Sequence, residues 1–156
     1  EDVFLIAGNQ LDIAVAKSEV PVSDAKILLD KGRFAMADPD TVPAGRYAKA
    51  ALESLGIWEE IRQNAVFTEN VRVALRMAAR GDVQAAIVYG SDIPIEPALH
   101  AGYEFAAKTH PPIVYPAGEI KNGSADATKF LEFLRSETVQ KLLRQSGFSN
   151  LVPAEN

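Results

Sequence analysis

Asp38-Pro39-Asp40-Thr41-Val42-Pro43-Ala44-Gly45, Thr68-Glu69-Asn70-Val71 and Ile87-Val88-Tyr89-Gly90-Ser91-Asp92 are three polar punctuations within one stretch, each at the edge of an apolar element. The first two stand before helical periodicity. Ala48, Ala51, Leu52 and Leu55 follow the i, i+3, i+4, i+7 template up to Gly56, and Val71, Ala74, Leu75 and Ala78 repeat it up to Gly81. The third closes the apolar run 85–89, of buried-strand type. Residues 33–38 and Val66-Phe67 read as the strands that feed the two helices. Strands alternating with helices in this way predict an α/β fold, a mainly parallel sheet flanked by helices.

Outward from that stretch, residues 3–7 and 11–16 are strand patterns separated by a turn signal, Gly8-Asn9-Gln10. Ser23 is the expected cap of a short helix over 24–30, with Gly32 as its stop. Residues 57–63 extend the helical part. The two prolines in 92–97 predict a loop, and 103–107 and 113–115 read as strands around Pro111-Pro112. Two final helices carry apolar faces at Ala127, Phe130, Leu131 and Leu134 and at Val139, Leu142 and Leu143, the second stopped by Gly147.

The 156 residues suffice for one compact domain or a lobe of a larger one. An apolar fraction of 47% and a charged fraction of 24% are those of an ordinary globular chain. A net charge of −5 without a basic run excludes an electrostatic footprint for nucleic acid. No apolar stretch reaches membrane-spanning length. The absence of cysteine excludes disulfides, thiolate metal sites and a cysteine nucleophile, and suits an oxidising compartment. The chain opens on Glu1-Asp2 and runs straight into a strand pattern, as a mature secreted protein or a piece of a longer chain would.

The first N–H groups of a helix lack intrahelical partners and sit at the positive end of its dipole, which makes them an anion site without any lysine or arginine. Pro43 suits the first helical position, and Ala44 and Gly45 then present free N–H groups behind small side chains. Asn70 suits the cap of the second helix and leaves the Val71 N–H at its tip. Tyr89, at a strand end before Gly90, can project its hydroxyl from the carboxyl edge of the sheet, where open α/β folds bind ligands. Taken singly, each feature also fits an ordinary helix start or a packed tyrosine. Other chemistry finds less support. His100 and His110 lack metal-ligand spacing and read as surface loop residues. Ser91-Asp92 with His100 has the composition of a triad without a Gly-x-Ser-x-Gly elbow. Glu59-Glu60 reads as a solvated face, and Arg46 and Arg72 are expected to face solvent.

These residues carry a family resemblance. Asp38-Pro39, Val42-Pro43-Ala44-Gly45, Tyr47-Ala48, Leu55-Gly56, Trp58, Asn70-Val71-Arg72, Ala74-Leu75 and Ile87-Val88-Tyr89-Gly90-Ser91-Asp92, in that order, resemble the periplasmic molybdate-binding proteins of ABC transporters, as do Tyr115-Pro116 and Gly147-Phe148. The resemblance implies a type II periplasmic binding fold, two α/β lobes joined by crossing strands with the oxyanion between them. It implies that Ala44 and Val71 donate backbone N–H groups and Tyr89 its hydroxyl to molybdate, with tungstate as a second ligand. No cofactor, catalytic residue or directly ligated metal is implied. The partners implied are the small oxyanion and the transporter's membrane permease, with no nucleic acid and no membrane insertion, in a periplasmic or membrane-tethered extracellular setting. The family's two serine-bearing loops have no counterpart here. The expectation is therefore a fragment: a complete lobe over 11–107, and an incomplete one over 1–10 and 108–156 whose apolar surface favours self-association.

Two rival readings differ in class. One is the effector-binding domain of a transcription regulator with the same fold, which a DNA-binding helix pair would favour. The other is an enzyme using Ser91, Asp92 or a histidine.

Overall fold

The computed structural model describes residues 3–121 and 123–149. The strands in chain order are β1 (Val3–Asn9), β2 (Leu11–Ala16), β3 (Phe34–Ala37), β4 (Ala65–Thr68), β5 (Ala85–Tyr89), β6 (Leu99–Glu104) and β7 (Ile113–Gly118). The helices are α1 (Ala25–Leu29), α2 (Pro43–Ser54), α3 (Trp58–Ile61), α4 (Val71–Arg80), α5 (Ala125–Arg135) and α6 (Glu137–Gln145). They fall into two compact units, Gln10–Pro111 on one side and Glu1–Asn9 with Pro112–Asn156 on the other.

The unit Gln10–Pro111 is built on a sheet of order β4-β3-β5-β2-β6. β3 runs parallel to β4 and β5, as βαβ connections require, whereas β2 is antiparallel to both β5 and β6. The sheet is thus mixed, with its parallel part confined to the strands that feed α2 and α4. Ala14, Ala35, Ala86 and Val88 on one face meet Ala74, Leu75 and Ala78 of α4. Alanines at the contact let the helix lie close to the sheet. Burying each larger side chain such as Leu75 contributes about 1.5–3 kcal/mol. α4 stops at Gly81, whose φ of 76° is the left-handed conformation that glycine adopts at low cost.

Tertiary pairing overrides several local signals. Gly8-Asn9-Gln10 is not a turn. β1 continues to Asn9 because the Gly8 N–H and C=O both pair with Ser149, at 3.1 and 3.0 Å, and only Gln10 separates β1 from β2. α1 is capped by Asp24, which accepts from the Lys26 N–H at 2.9 Å, and not by Ser23. β6 occupies Leu99–Glu104 instead of 103–107, since its register with β2 runs from Ala16↔Leu99 to Asp12↔Glu104. Ala107–Thr109 forms a 3₁₀ turn instead, and another 3₁₀ turn, Gly90–Ile95, takes up much of the expected loop.

In the second unit β1 and β7 form an antiparallel ribbon. β7 runs on through Pro116, opposite Leu5, where the ladder slips before Ala7 and tolerates a residue with no N–H to donate. Ser124 caps α5 and Ser136 caps α6, accepting from the N–H groups of Ala127 and Val139. The Gln140 amide donates to Ile6 O and Leu134 O, at 3.1 and 3.2 Å. Val139 is buried, but Phe130, Phe133 and Leu142 are 58%, 54% and 55% exposed.

Candidate anion-binding edge

Register brings the three punctuations to one edge of the sheet. Ala37 pairs with Thr68, so β3 and β4 end flush, and the Asp38 N–H extends the ladder to Thr68 O at 2.9 Å. β5 keeps an offset of 51 residues from β3 (Phe34↔Ala85, Ala35↔Ala86), which carried forward sets Tyr89 level with Asp38. At about 4.8 Å per strand spacing, the three ends lie within roughly 10 Å along the edge. α2 starts after β3 and α4 after β4, so two helix N-termini and Tyr89 share that edge.

The two helices leave their first donors open by different means. At α2, Val42 is the cap and offers no acceptor side chain, and Pro43 has no N–H. The first intrahelical bond is from the Arg46 N–H to Val42 O at 3.1 Å, so Ala44 and Gly45 precede the ladder. Gly45 packs against the end of β3. A Cβ there would lie 2.3 Å from Ala37 O and 2.5 Å from Asp38 C, which only glycine avoids. The turn into the helix is held by the Asp38 carboxylate, which accepts from the Asp40 N–H at 2.9 Å. At α4, Asn70 Oδ1 takes the Val73 N–H at 3.0 Å and Asn70 O takes the Ala74 N–H at 3.4 Å. Val71 and Arg72 are left ahead of the ladder. Thr68 Oγ1 donates to Asn70 O at 2.9 Å and fixes the turn between β4 and α4.

Tyr89 is half-buried, and its backbone N–H donates to Asp92 Oδ2 at 3.1 Å. The other Asp92 oxygen, Oδ1, is 2.6 Å from Arg72 Nε. Arg72 therefore does not simply face solvent: it pairs with a carboxylate that is itself buried. Burial pushes the Asp92 carboxyl above its ordinary range, against the opposing pull of the Tyr89 N–H and the Arg72 guanidinium. A second buried acid, Asp12, lies at the same end of β2, opposite Val88 and Glu104. Its Oδ2 accepts from the Gln10 amide at 3.1 Å, while Oδ1 is buried without a hydrogen-bond partner. Burial raises its pKa from 3.8 to about 6, opposed by the Gln10 bond and reinforced by Glu104.

Neither acid was singled out for this role from the sequence. Asp12 carried a signal, an acid inside the apolar run Leu11–Ala16. The Arg72–Asp92 contact carried none, because 20 residues and a strand separate the two.

The histidines stand apart. His100 is a strand residue, not a loop residue; it lies opposite Val15, with its Nε2 2.9 Å from Glu19 O. Tyr89 lies opposite Leu11, four strand residues away along β2, roughly 13 Å at 3.3 Å each. Ser91, Asp92 and His100 therefore do not converge. His110 stacks edge-on against Tyr47 of α2 at 6.0 Å between ring centres. Among the described residues, no group of His, Asp and Glu side chains is arranged to hold a metal. Surface clefts of about 380 and 530 Å³, lined by Asp24–Lys31 residues and by Pro21, Val22 and Gly102 among others, do not include Ala44, Val71 or Tyr89.

The fold is that of the type II periplasmic binding proteins, a mixed sheet flanked by helices. The chain belongs to the bacterial extracellular solute-binding protein family, whose model matches residues 1–149; it is a family of solute binders, not enzymes. Over 152 residues it is 34% identical to the molybdate-binding protein ModA of Haemophilus influenzae, covering 93% of this chain and 60% of that protein. It is 31% identical to ModA of Escherichia coli, covering 92% and 59%. Among solved structures, the substrate-binding domain assigned to a molybdenum ABC transporter of Clostridium difficile superposes with a TM-score of 0.86 at 28% identity, covering 96% of this chain and 67% of that one. The chain thus spans about 60% of the length of these curated relatives.

Proposed function

We propose that this chain supplies part of a molybdate site, with the N–H groups of Ala44 and Val71 and the hydroxyl of Tyr89 donating to the oxyanion. The observation that carries the reading is the convergence of two helix starts with open donors and a strand-end tyrosine on one sheet edge. The molybdate named for the relatives supports it. A donor set made mainly of N–H groups, with no carboxylate among them, suits a fully deprotonated dianion, since a protonated phosphate would bring an O–H that the two amides cannot receive. Tungstate, of the same charge and shape, is the second ligand. The anion would be handed to the membrane permease of an ABC transporter from a periplasmic or membrane-tethered position. The exposed Phe130 and Phe133 of α5 and Leu142 of α6 would drive self-association.

The test is a titration followed by amide NMR, which detects weak as well as tight binding. Molybdate should shift the amides of Ala44, Gly45, Val71 and Arg72 first. Tyr89→Phe should weaken binding by about 1–3 kcal/mol, the loss of one hydrogen bond to a charged acceptor. Stationary amides at these four positions, or unchanged affinity in Tyr89→Phe, would overturn the assignment.

A further inference from the structure

Arg72 places a cation in the first turn of α4, where the helix dipole already favours anions. A guanidinium there would attract any anion, yet it does not stand alone. We propose that Asp92 is a positioning and selectivity residue: its carboxylate neutralises Arg72 beside the start of α4 and holds the end of β5, leaving the oxyanion to be recognised by neutral donors. The inference rests on the reading of this edge as an oxyanion site.

The geometry gives one carboxylate two tasks. Oδ1 meets Arg72 Nε at 2.6 Å, and Oδ2 accepts the Tyr89 N–H at 3.1 Å. The Asp92 side chain is 3% exposed and that of Arg72 53%, so the pair is anchored from the protein side. Asp92 sits in the 3₁₀ turn Gly90–Ile95 that follows β5 directly. The tip of α4 and the residue bearing the Tyr89 hydroxyl are therefore tied through one group. An unpaired cation within the Debye length, about 8–10 Å at physiological ionic strength, attracts anions in proportion to their charge and without regard to shape. Paired with Asp92, it adds little, and discrimination falls to the size of the anion and the placement of N–H and O–H donors.

Asp92→Asn tests this directly, because the amide oxygen can still accept the Tyr89 N–H while the negative charge is gone. At about 20 mM salt its affinity for molybdate should rise roughly three- to tenfold, from Coulomb attraction between a freed guanidinium and a dianion across water. For perrhenate, a tetrahedral monoanion, the gain should be roughly the square root of that factor. Both gains should vanish near 300 mM salt, about where screening removes the charge. Adding Arg72→Gln to Asp92→Asn should restore wild-type affinity and salt dependence, which a merely structural role for Asp92 would not do. The wild-type chain provides a check independent of any variant: its molybdate affinity should change less than about threefold over the same salt range. Unchanged or lower affinity in Asp92→Asn, equal gains for the two anions, or a steep salt dependence in the wild type would overturn the proposal. A wild-type chain whose Ala44, Gly45, Val71 and Arg72 amides ignore molybdate removes the oxyanion reading and this proposal together. A normal wild-type response with the wrong variant pattern removes this proposal alone.

Discussion

The two units of the chain close opposite things. In Gln10–Pro111 the apolar side chains are shut in, with Leu11, Ile13, Phe34 and Leu52 fully buried, while α2 and α4 begin with open N–H groups. Their first turns read Pro43-Ala44-Gly45-Arg46 and Val71-Arg72-Val73-Ala74, apolar and basic. In the other unit Ser124 and Ser136 cap α5 and α6 as Asn70 caps α4, but Asp126 and Glu137 also sit in their first turns, where α2 and α4 carry no acid. There the apolar residues are open, notably Phe130 and Phe133. An acid in the first turn satisfies the helix dipole internally and repels a second anion. Leaving it out keeps that end available, as the proposed oxyanion site requires.

The largest expected effect concerns the buried acid of the first unit. The folded pKa of Asp12 lies near 6, above its ordinary 3.8, so the folded state holds the proton more tightly than the unfolded chain. The stability this proton contributes is full below about pH 3.8 and is lost as pH rises through 6, amounting to about 3 kcal/mol for a shift of roughly two units. Urea denaturation of the unit at pH 4 and pH 7.5 should show that fall, and Asp12→Asn should flatten it. A wild type equally stable at both values would contradict the assignment.

Gly45→Ala comes next. Its Cβ meets backbone, not a flexible side chain, so α2 must move off β3 at a cost of about 1–3 kcal/mol. The shift in denaturation midpoint should be accompanied by loss of the molybdate response at Ala44 and Val71. A variant that keeps both would mean that the α2 start is less closely seated than its contacts indicate.

Removing one donor and altering one side chain should then separate backbone from side-chain recognition. Ala44→Pro deletes an N–H and should lower molybdate affinity about tenfold or more. Part of any stability loss will come from the restriction Pro imposes on Pro43. Val71→Ala keeps the N–H and should bind within about twofold of wild type, though it trims packing against the core. Similar losses in both would point to side-chain packing as the determinant.

The smallest effect on folding is expected in the other unit. Phe130→Ser with Phe133→Ser should change stability by no more than about 0.5 kcal/mol each, as exposed positions do. They should nonetheless reduce the apparent mass in light scattering at high protein concentration. A wild type that is monomeric under those conditions would remove self-association from the account.

Much of this organisation was legible in the sequence because it rests on local chemistry. The periodicity of Ala48, Ala51, Leu52 and Leu55 and of Val71, Ala74, Leu75 and Ala78 located α2 and α4, and Pro43 and Asn70 marked their starts. What escaped depends on partners distant in sequence. The extension of β1 through Gly8 needs Ser149, and the early start of β6 needs β2. The direction of β2 could not be read from its own residues, so a sheet expected to be mainly parallel is mixed. At the edge, Tyr89 stood out by its position, but the link from Arg72 to Asp92 exists only once β3 has joined β5 and β4, the strand that feeds α4, into one sheet.

The open N–H groups of Ala44, Gly45 and Val71 also bear on how this edge can change under mutation. A recognition element made of main-chain amides is written in no side chain, and at Ala44 and Val71 every codon except those for proline keeps the N–H. An alanine scan across 43–46 and 70–73 would register at Gly45, where a Cβ meets backbone, but would pass over the Ala44 and Val71 donors almost silently, and variation at Val71 would leave the proposed donor in place. Proline scanning, or replacement of single amides by esters in a semisynthetic chain, is the kind of mutagenesis to which such an edge responds.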